Sequence, residues 1–138
     1  MTDGGLLVVD ASIVGGLIAP HRVEDPLFDI VLDRSLHAPE FLHVEAANVV
    51  WKSARFGGET WAIAAGRLAQ IESLPIRLHA DRPLARQAFE LARTLAHPVY
   101  DCLYLALALD LDAQVLTRDR RFAAAAEAAY PGRVRALG

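Results

Sequence analysis

The chain has 138 residues, 54% hydrophobic and 22% charged, a composition that excludes intrinsic disorder and suits one packed domain spanning residues 1–138. Its single cysteine, Cys102, excludes an internal disulfide and any zinc site built on several thiolates, and fits a reducing compartment. The net charge of −3 excludes a protein that coats nucleic acid by bulk positive charge.

Charge is uneven along the chain. Within residues 118–138, Arg118, Arg120, Arg121, Arg133 and Arg135 face only Asp119 and Glu127, so a basic C-terminal edge follows an acidic body. Such an edge can contact phosphates, although a solvated face with arginine stems over apolar surface produces the same pattern. No apolar run reaches the roughly 18 residues a membrane span needs. The opening Met-Thr-Asp-Gly-Gly carries no basic residue before Leu6–Val9, so no secretory signal is expected and the default is a cytoplasmic protein.

In chain order, Leu6–Val9 is a short apolar run ending at Asp10 and predicts a buried strand. Residues 11–19 predict a short helix stopped by Pro20. Residues 24–35 predict another, with Glu24 and Asp25 near its start and Pro26 in its first turn. A very short strand at 36–38 precedes Pro39. Residues 40–55 are helical in pattern, and Gly57–Gly58 ends them. The next helix, 60–74, lines up Trp61, Ala64, Ala65, Leu68 and Ile71 on one face.

A third strand is expected at 75–78. Asp81 is the expected N-cap of a helix running to Ala96, with Pro83 just inside it. Pro98 opens a helix through Leu111, residues 114–117 form a fourth strand, 120–129 a last helix and 134–137 a last strand. No repeat, linker or low-complexity tract interrupts the pattern. Short buried strands separated by helices predict an α/β three-layer sandwich, a short central parallel sheet flanked by helices. Sites in such sheets form at the carboxyl ends of the strands.

Four acids sit in apolar surroundings. Asp10 ends the first strand. Glu45 shares a helical face with Leu42 and Val49, with Asn48 one turn on. Asp101 precedes Cys-Leu-Tyr-Leu-Ala-Leu-Ala-Leu, a helix apolar nearly all round. Asp119 lies two residues beyond Gln-Val-Leu-Thr. Taken singly, Asp10, Asp101 and Asp119 are each candidate N-caps, and Glu45 a candidate partner for an arginine. Taken together, two acids end strands of one sheet and two lie on helices near that edge. Gathered buried carboxylates repel, and oxygen-only ligands select a hard cation such as Mg²⁺ or Mn²⁺. Ser12 and Thr117 lie two residues from Asp10 and Asp119, where each is able to steady a carboxylate or serve as an ordinary local cap.

The segments Val-Val-Asp-Ala-Ser at 8–12, Glu-Ala-Ala-Asn at 45–48, His-Pro-Val-Tyr-Asp-Cys-Leu-Tyr-Leu-Ala-Leu-Ala at 97–108 and Val-Leu-Thr-Arg-Asp-Arg-Arg-Phe at 115–122 resemble the motifs of PIN-domain ribonucleases, above all the VapC toxins of bacterial toxin–antitoxin pairs. The resemblance spans essentially the whole chain, and no departure occurs at the four acids. It implies a PIN-like sandwich and metal-dependent endonucleolytic hydrolysis of RNA. By the resemblance Asp10, Glu45, Asp101 and Asp119 form the acidic set and Ser12, Thr117 and Asn48 support it. Asp10, Asp101 and Asp119 are the expected metal ligands for Mg²⁺ or Mn²⁺, while Glu45 either ligates or accepts a proton from the attacking water. Arg118, Arg120 and Arg121 are the expected phosphate contacts. A cognate VapB-type antitoxin and a homodimer are also implied.

Other residues carry less. His43, His79 and His97 have no zinc-type spacing. Gly15–Gly16 permits close packing but is no phosphate loop. Trp51 and Trp61 are placed in the core or an interface rather than in base stacking. Two other functions compete: a non-catalytic PIN-like module that binds RNA or protein, and an aspartyl-phosphate enzyme with Asp10 as nucleophile. The second of these lacks an acid at Ser12 and has only Lys52, in a helix, as its lysine.

Overall fold

A computed structural model of the protein describes residues 5–18 and 25–138. The elements are β1 (Leu6–Val9), α1 (Ala11–Ile18), α2 (Leu27–Val31), β2 (Ser35–Pro39), α3 (Phe41–Phe56), α4 (Trp61–Glu72), β3 (Ile76–His79), α5 (Arg82–Leu95), α6 (Val99–Leu111), β4 (Gln114–Thr117), α7 (Arg120–Glu127) and β5 (Val134–Ala136). The strands form one parallel sheet in the order β3-β2-β1-β4-β5, flanked by helices. Among the described residues no helix is long and apolar enough to cross a membrane.

The order explains both the core and the crevice. β1 is the central strand, so Leu7, Val8 and Val9 are covered on both faces and read as an unbroken apolar run. α6 packs across β1, β2 and β4 and is itself covered by α5, which is why Cys102–Ala108 is buried on every side. From β1 the chain steps to β2 and β3 on one side, then returns to β4 and β5 on the other. Right-handed crossovers therefore send α1–α4 and α5–α7 to opposite faces. The connections after β1 and β4 diverge, leaving an opening at the carboxyl edge between these two strands.

Several elements differ from the sequence expectation. The helix expected over 24–35 is only Leu27–Val31 within the described residues, because Asp33 takes a left-handed conformation (φ 66°) and the chain enters β2 at Ser35. Glu24, Ala19 and Pro20 lie outside the described residues. On α4, Ala64 and Ile71 face the core, but Trp61 and Ala65 are exposed. On α3 the buried stripe is Leu42, Ala46 and Val50, and Val49 lies outside it. Asp81 does not cap α5: its Oδ1 accepts from the Phe41 amide instead, pinning the start of α3 beside that of α5. α5 ends at Leu95 and is capped by Ala96, left-handed at φ 52°, a turn that throws the chain abruptly into His97 and Pro98.

Candidate active site

Asp10 stands at the carboxyl end of β1 and is buried. Its Oδ1 accepts from the Ser12 amide (3.1 Å), the Ser12 hydroxyl and the Ile13 amide (3.3 Å), so it caps the first turn of α1. Its Oδ2 accepts from the Thr117 hydroxyl. The pairing of Val9 with Leu116 brings that bond within reach, since it sets residues 10 and 117 side by side at the ends of adjacent strands. Burial raises the Asp10 carboxyl above the ordinary carboxylate range against the opposing pull of these donors, and the charge of Asp101 adds to the rise.

Glu45 reaches in from α3. Its Oε1 accepts from the Tyr104 hydroxyl (2.7 Å) and the Ala11 amide (3.4 Å). Its pKa too is raised, first by burial and then by Asp10 and Asp101, while the Tyr104 bond works the other way. The Tyr104 phenol is pushed far up by burial and by Glu45, so it stays a donor at any working pH.

Asp101 lies in the first turn of α6, where Pro98 is the N-cap, so Asp101 is not a cap. Its Oδ2 is 2.7 Å from Nε2 of His97, and the His97 ring stacks on Phe122 with centroids 5.1 Å apart. Asp119 does cap its helix: Oδ1 accepts from the amides of Arg121 (2.9 Å) and Phe122 (3.2 Å). Ligand atoms of His97, Asp101 and Asp119 lie within 4.8 Å of one another, and these residues line a hollow with Ala96, Pro98 and Arg121.

Two hydroxyls bind the halves together. Thr117 donates to Asp10 and accepts from the Asp119 amide (3.1 Å). Ser12 donates to Asp10 and accepts from the Arg118 amide (3.0 Å). Each ties the segment after β1 to the segment after β4 across the opening.

A sequence profile of the PIN domain matches residues 7–128. The chain belongs to the PIN-domain family. Ribonuclease VapC3 of Pyrobaculum aerophilum is 32% identical over 120 residues, which is 85% of this chain and 92% of that protein. The crystal structure of PAE2754, from the same organism, aligns with a TM-score of 0.71 at 25% identity and covers 95% of this chain and 83% of that one. The fold expected from the motifs is therefore the fold observed.

Within this PIN domain, Asp10, Glu45 and Asp101 meet in one electrostatic cluster, and Asp119 joins it on the Asp101 side. Asp119 itself is exposed rather than buried. Glu45 takes a tyrosine and an amide as partners, not an arginine. Asn48 is exposed one turn along α3 and has no side-chain hydrogen bond to the acids or to any other described residue. Arg118 is engaged: its Nη2 is 3.0 Å from Oδ2 of Asp25. It passes against Gly16, where a Cβ would stand 3.3 Å from Nη2 and 2.9 Å from Leu27, whereas Gly15 has open space. Arg120 is exposed near Gly138, and Arg121 borders the hollow.

Sequence reasoning missed two residues. His97 lacks zinc spacing, yet it stands just ahead of the Pro98 cap of α6, where the turn between α5 and α6 brings its ring onto Asp101. Tyr104 is a phenol inside an apolar helix, and a buried hydroxyl there needs an acceptor.

Proposed function

We propose that this chain is a metal-dependent endoribonuclease acting as a VapC-type toxin, with Asp10, Glu45, Asp101 and Asp119 as its acidic set. The observation that carries the reading is the meeting of these acids at the opening between β1 and β4 in a chain of the PIN family. The likeness to Ribonuclease VapC3 supports RNA as the substrate.

The donor set suits a divalent cation. Carboxylate oxygens gather in a partly buried cleft where repulsion and burial penalise their charge, and no lysine or arginine side chain hydrogen-bonds to them among the described residues. Asp10, Asp101 and Asp119 would hold Mg²⁺ or Mn²⁺, with the imidazole nitrogen of His97 close by. When bound, the cation supplies charge neutralisation at the scissile phosphate and acidifies water.

The chain's own residues do the rest. Ser12 and Thr117 hold Asp10 in place from both sides. His97 fixes the orientation of Asp101. Glu45, with a raised pKa and one oxygen held by Tyr104, is suited to take a proton from the attacking water. Arg121, at the border of the hollow, is the best placed arginine for a flanking phosphate.

A cytoplasmic homodimer restrained by a VapB-type antitoxin completes the proposal. Trp51 and Phe56 on α3 and Trp61 and Ile63 on α4 are exposed, which suits an interface. The test is incubation of the purified protein with labelled RNA in Mg²⁺ or Mn²⁺ and in chelator. Internal cleavage that stops on chelation and returns on adding metal is expected. Intact RNA across a diverse pool in both metals, or undiminished cleavage in chelator, overturns the proposal.

A further inference from the structure

Two contacts join α3 to α6, four residues apart on each helix. Deeper in the molecule Tyr104 donates to Glu45. One turn nearer the N-terminus of both helices, Tyr100 stacks on Phe41, with centroids 5.3 Å apart and ring planes 15° from parallel. Residues at this separation share a helix face, so the aromatic pair continues the line of the carboxylate contact. Exposure changes along that line: Tyr104 is fully buried, Phe41 is half-buried and Tyr100 is 63% exposed.

Tyr100 is also the chain neighbour of Asp101, and Phe41 stands one turn before Glu45. The pair therefore sits at the outer rim of the acidic cleft, on the α3 side. Arg121 and Asp119 border the hollow on the α7 side. Phe41 covers one surface of the Tyr100 ring and keeps it from collapsing onto the protein. A hydrophobic core has no use for a tyrosine so exposed, next in the chain to Asp101. A flat ring, braced from behind and lying next to a phosphate-cleaving cleft, suits an unpaired base.

We propose that Tyr100, braced by Phe41, is a stacking platform for an unpaired nucleobase flanking the scissile phosphate. This rests on the ribonuclease reading and adds a substrate-positioning residue to it. Stacking recognises the face of a base and not its edge, so the platform favours unpaired over paired RNA without dictating a sequence.

The test uses a short single-stranded RNA carrying 2-aminopurine at successive positions, with the full protein and with Tyr100→Phe and Tyr100→Leu. Binding is followed by base fluorescence and by anisotropy, both in chelator and in Ca²⁺; cleavage of the same RNA is followed separately in Mg²⁺ and Mn²⁺. Thermal melts check that both variants fold. Quenching at one position is expected for the parent and for Tyr100→Phe. Tyr100→Leu should lose that quenching and bind about tenfold more weakly. In cleavage, its KM should rise more than its kcat falls, and a duplex of the same sequence should be a poor substrate. Equal quenching and affinity for Tyr100→Leu overturn the platform while leaving the ribonuclease reading intact. Quenching that follows the ring, with no cleavage in either metal, sustains the platform as a binding feature and overturns the ribonuclease. A parent that neither binds nor cleaves the RNA overturns both.

Discussion

Replacing Asp10 by Asn separates the roles this residue holds. The substitution keeps shape and removes one negative charge. The three bonds received by Oδ1, from the Ser12 amide, the Ser12 hydroxyl and the Ile13 amide, are also available to an asparagine oxygen. The loss is at Oδ2, where an amide nitrogen would now face the Thr117 hydroxyl. That hydroxyl already accepts from the Asp119 amide, so its hydrogen loses its acceptor, at a cost of about 1 kcal/mol. In the opposite direction, a charge disappears from a buried site beside Asp101 and Glu45, a gain on the order of 1 kcal/mol. The two nearly cancel. In chelator the melting temperature should move by no more than about 4 °C.

Function should not cancel. On the proposed reading the substitution removes a hard anionic ligand, and RNA cleavage should fall at least about a hundredfold, roughly 2.7 kcal/mol of barrier. The proposal also expects Mg²⁺ to stabilise the parent by binding the folded state, and expects that gain to shrink in the variant. A pH series in chelator adds a signed check. The folded-state pKa of Asp10 is raised above 3.8, so its charge weakens the fold above the folded value and is without effect below the unfolded one. The stability of Asp10→Asn relative to the parent should therefore be highest at neutral pH and should decline on acidification through the raised pKa. A variant that cleaves like the parent and gains as much from Mg²⁺ would remove Asp10 from the site. A loss above about 3 kcal/mol in chelator would make Asp10 a structural hub first.

Tyr104→Phe deprives the Glu45 carboxylate of its phenol donor; its pKa should rise further, shifting the acid limb of the cleavage pH profile to higher pH, and an unmoved limb would refute the coupling. His37, whose pKa is lowered by burial and then by His79 and Arg77, should make the fold less stable as pH falls below 6.5, since the unfolded imidazole takes its proton first; His37→Asn should flatten that slope in chelated melts. Ala96→Val places a β-branched residue at φ 52° and should cost on the order of 1–2 kcal/mol in a denaturant titration, whereas Ala96→Gly should cost little.

The parts of this protein legible in its sequence are those set by local chemistry. β1 and α6 announce themselves because burial on both faces demands a nearly unbroken apolar run, and β4 through its buried Val115–Leu116. The four acids stand out because each interrupts or ends such a run. What was not legible depends on topology. No local pattern shows that Tyr104 would meet Glu45 across 59 residues, or Thr117 meet Asp10 across 107. Helical spacing puts Trp61 in line with Ala64 and Ile71, and Val49 in line with Leu42, but both are exposed, because spacing groups residues without saying which of two apolar faces turns inward.

The choice between helix cap and metal ligand, open at the level of sequence, dissolves for Asp10 and Asp119. At Asp119 both first-turn amides bond to Oδ1, leaving Oδ2 without a hydrogen bond to any described residue. At Asp10 the cap takes one oxygen and Thr117 the other, and a carboxylate oxygen retains a further lone pair in either case. A cap fixes a carboxylate at the end of a strand and at the start of a helix, which in a parallel sheet is the edge where ligands bind. Capping is thus the means by which the fold holds these two acids in position, while Asp101, steadied by His97, and Glu45, held by Tyr104 and the Ala11 amide, rely on other devices.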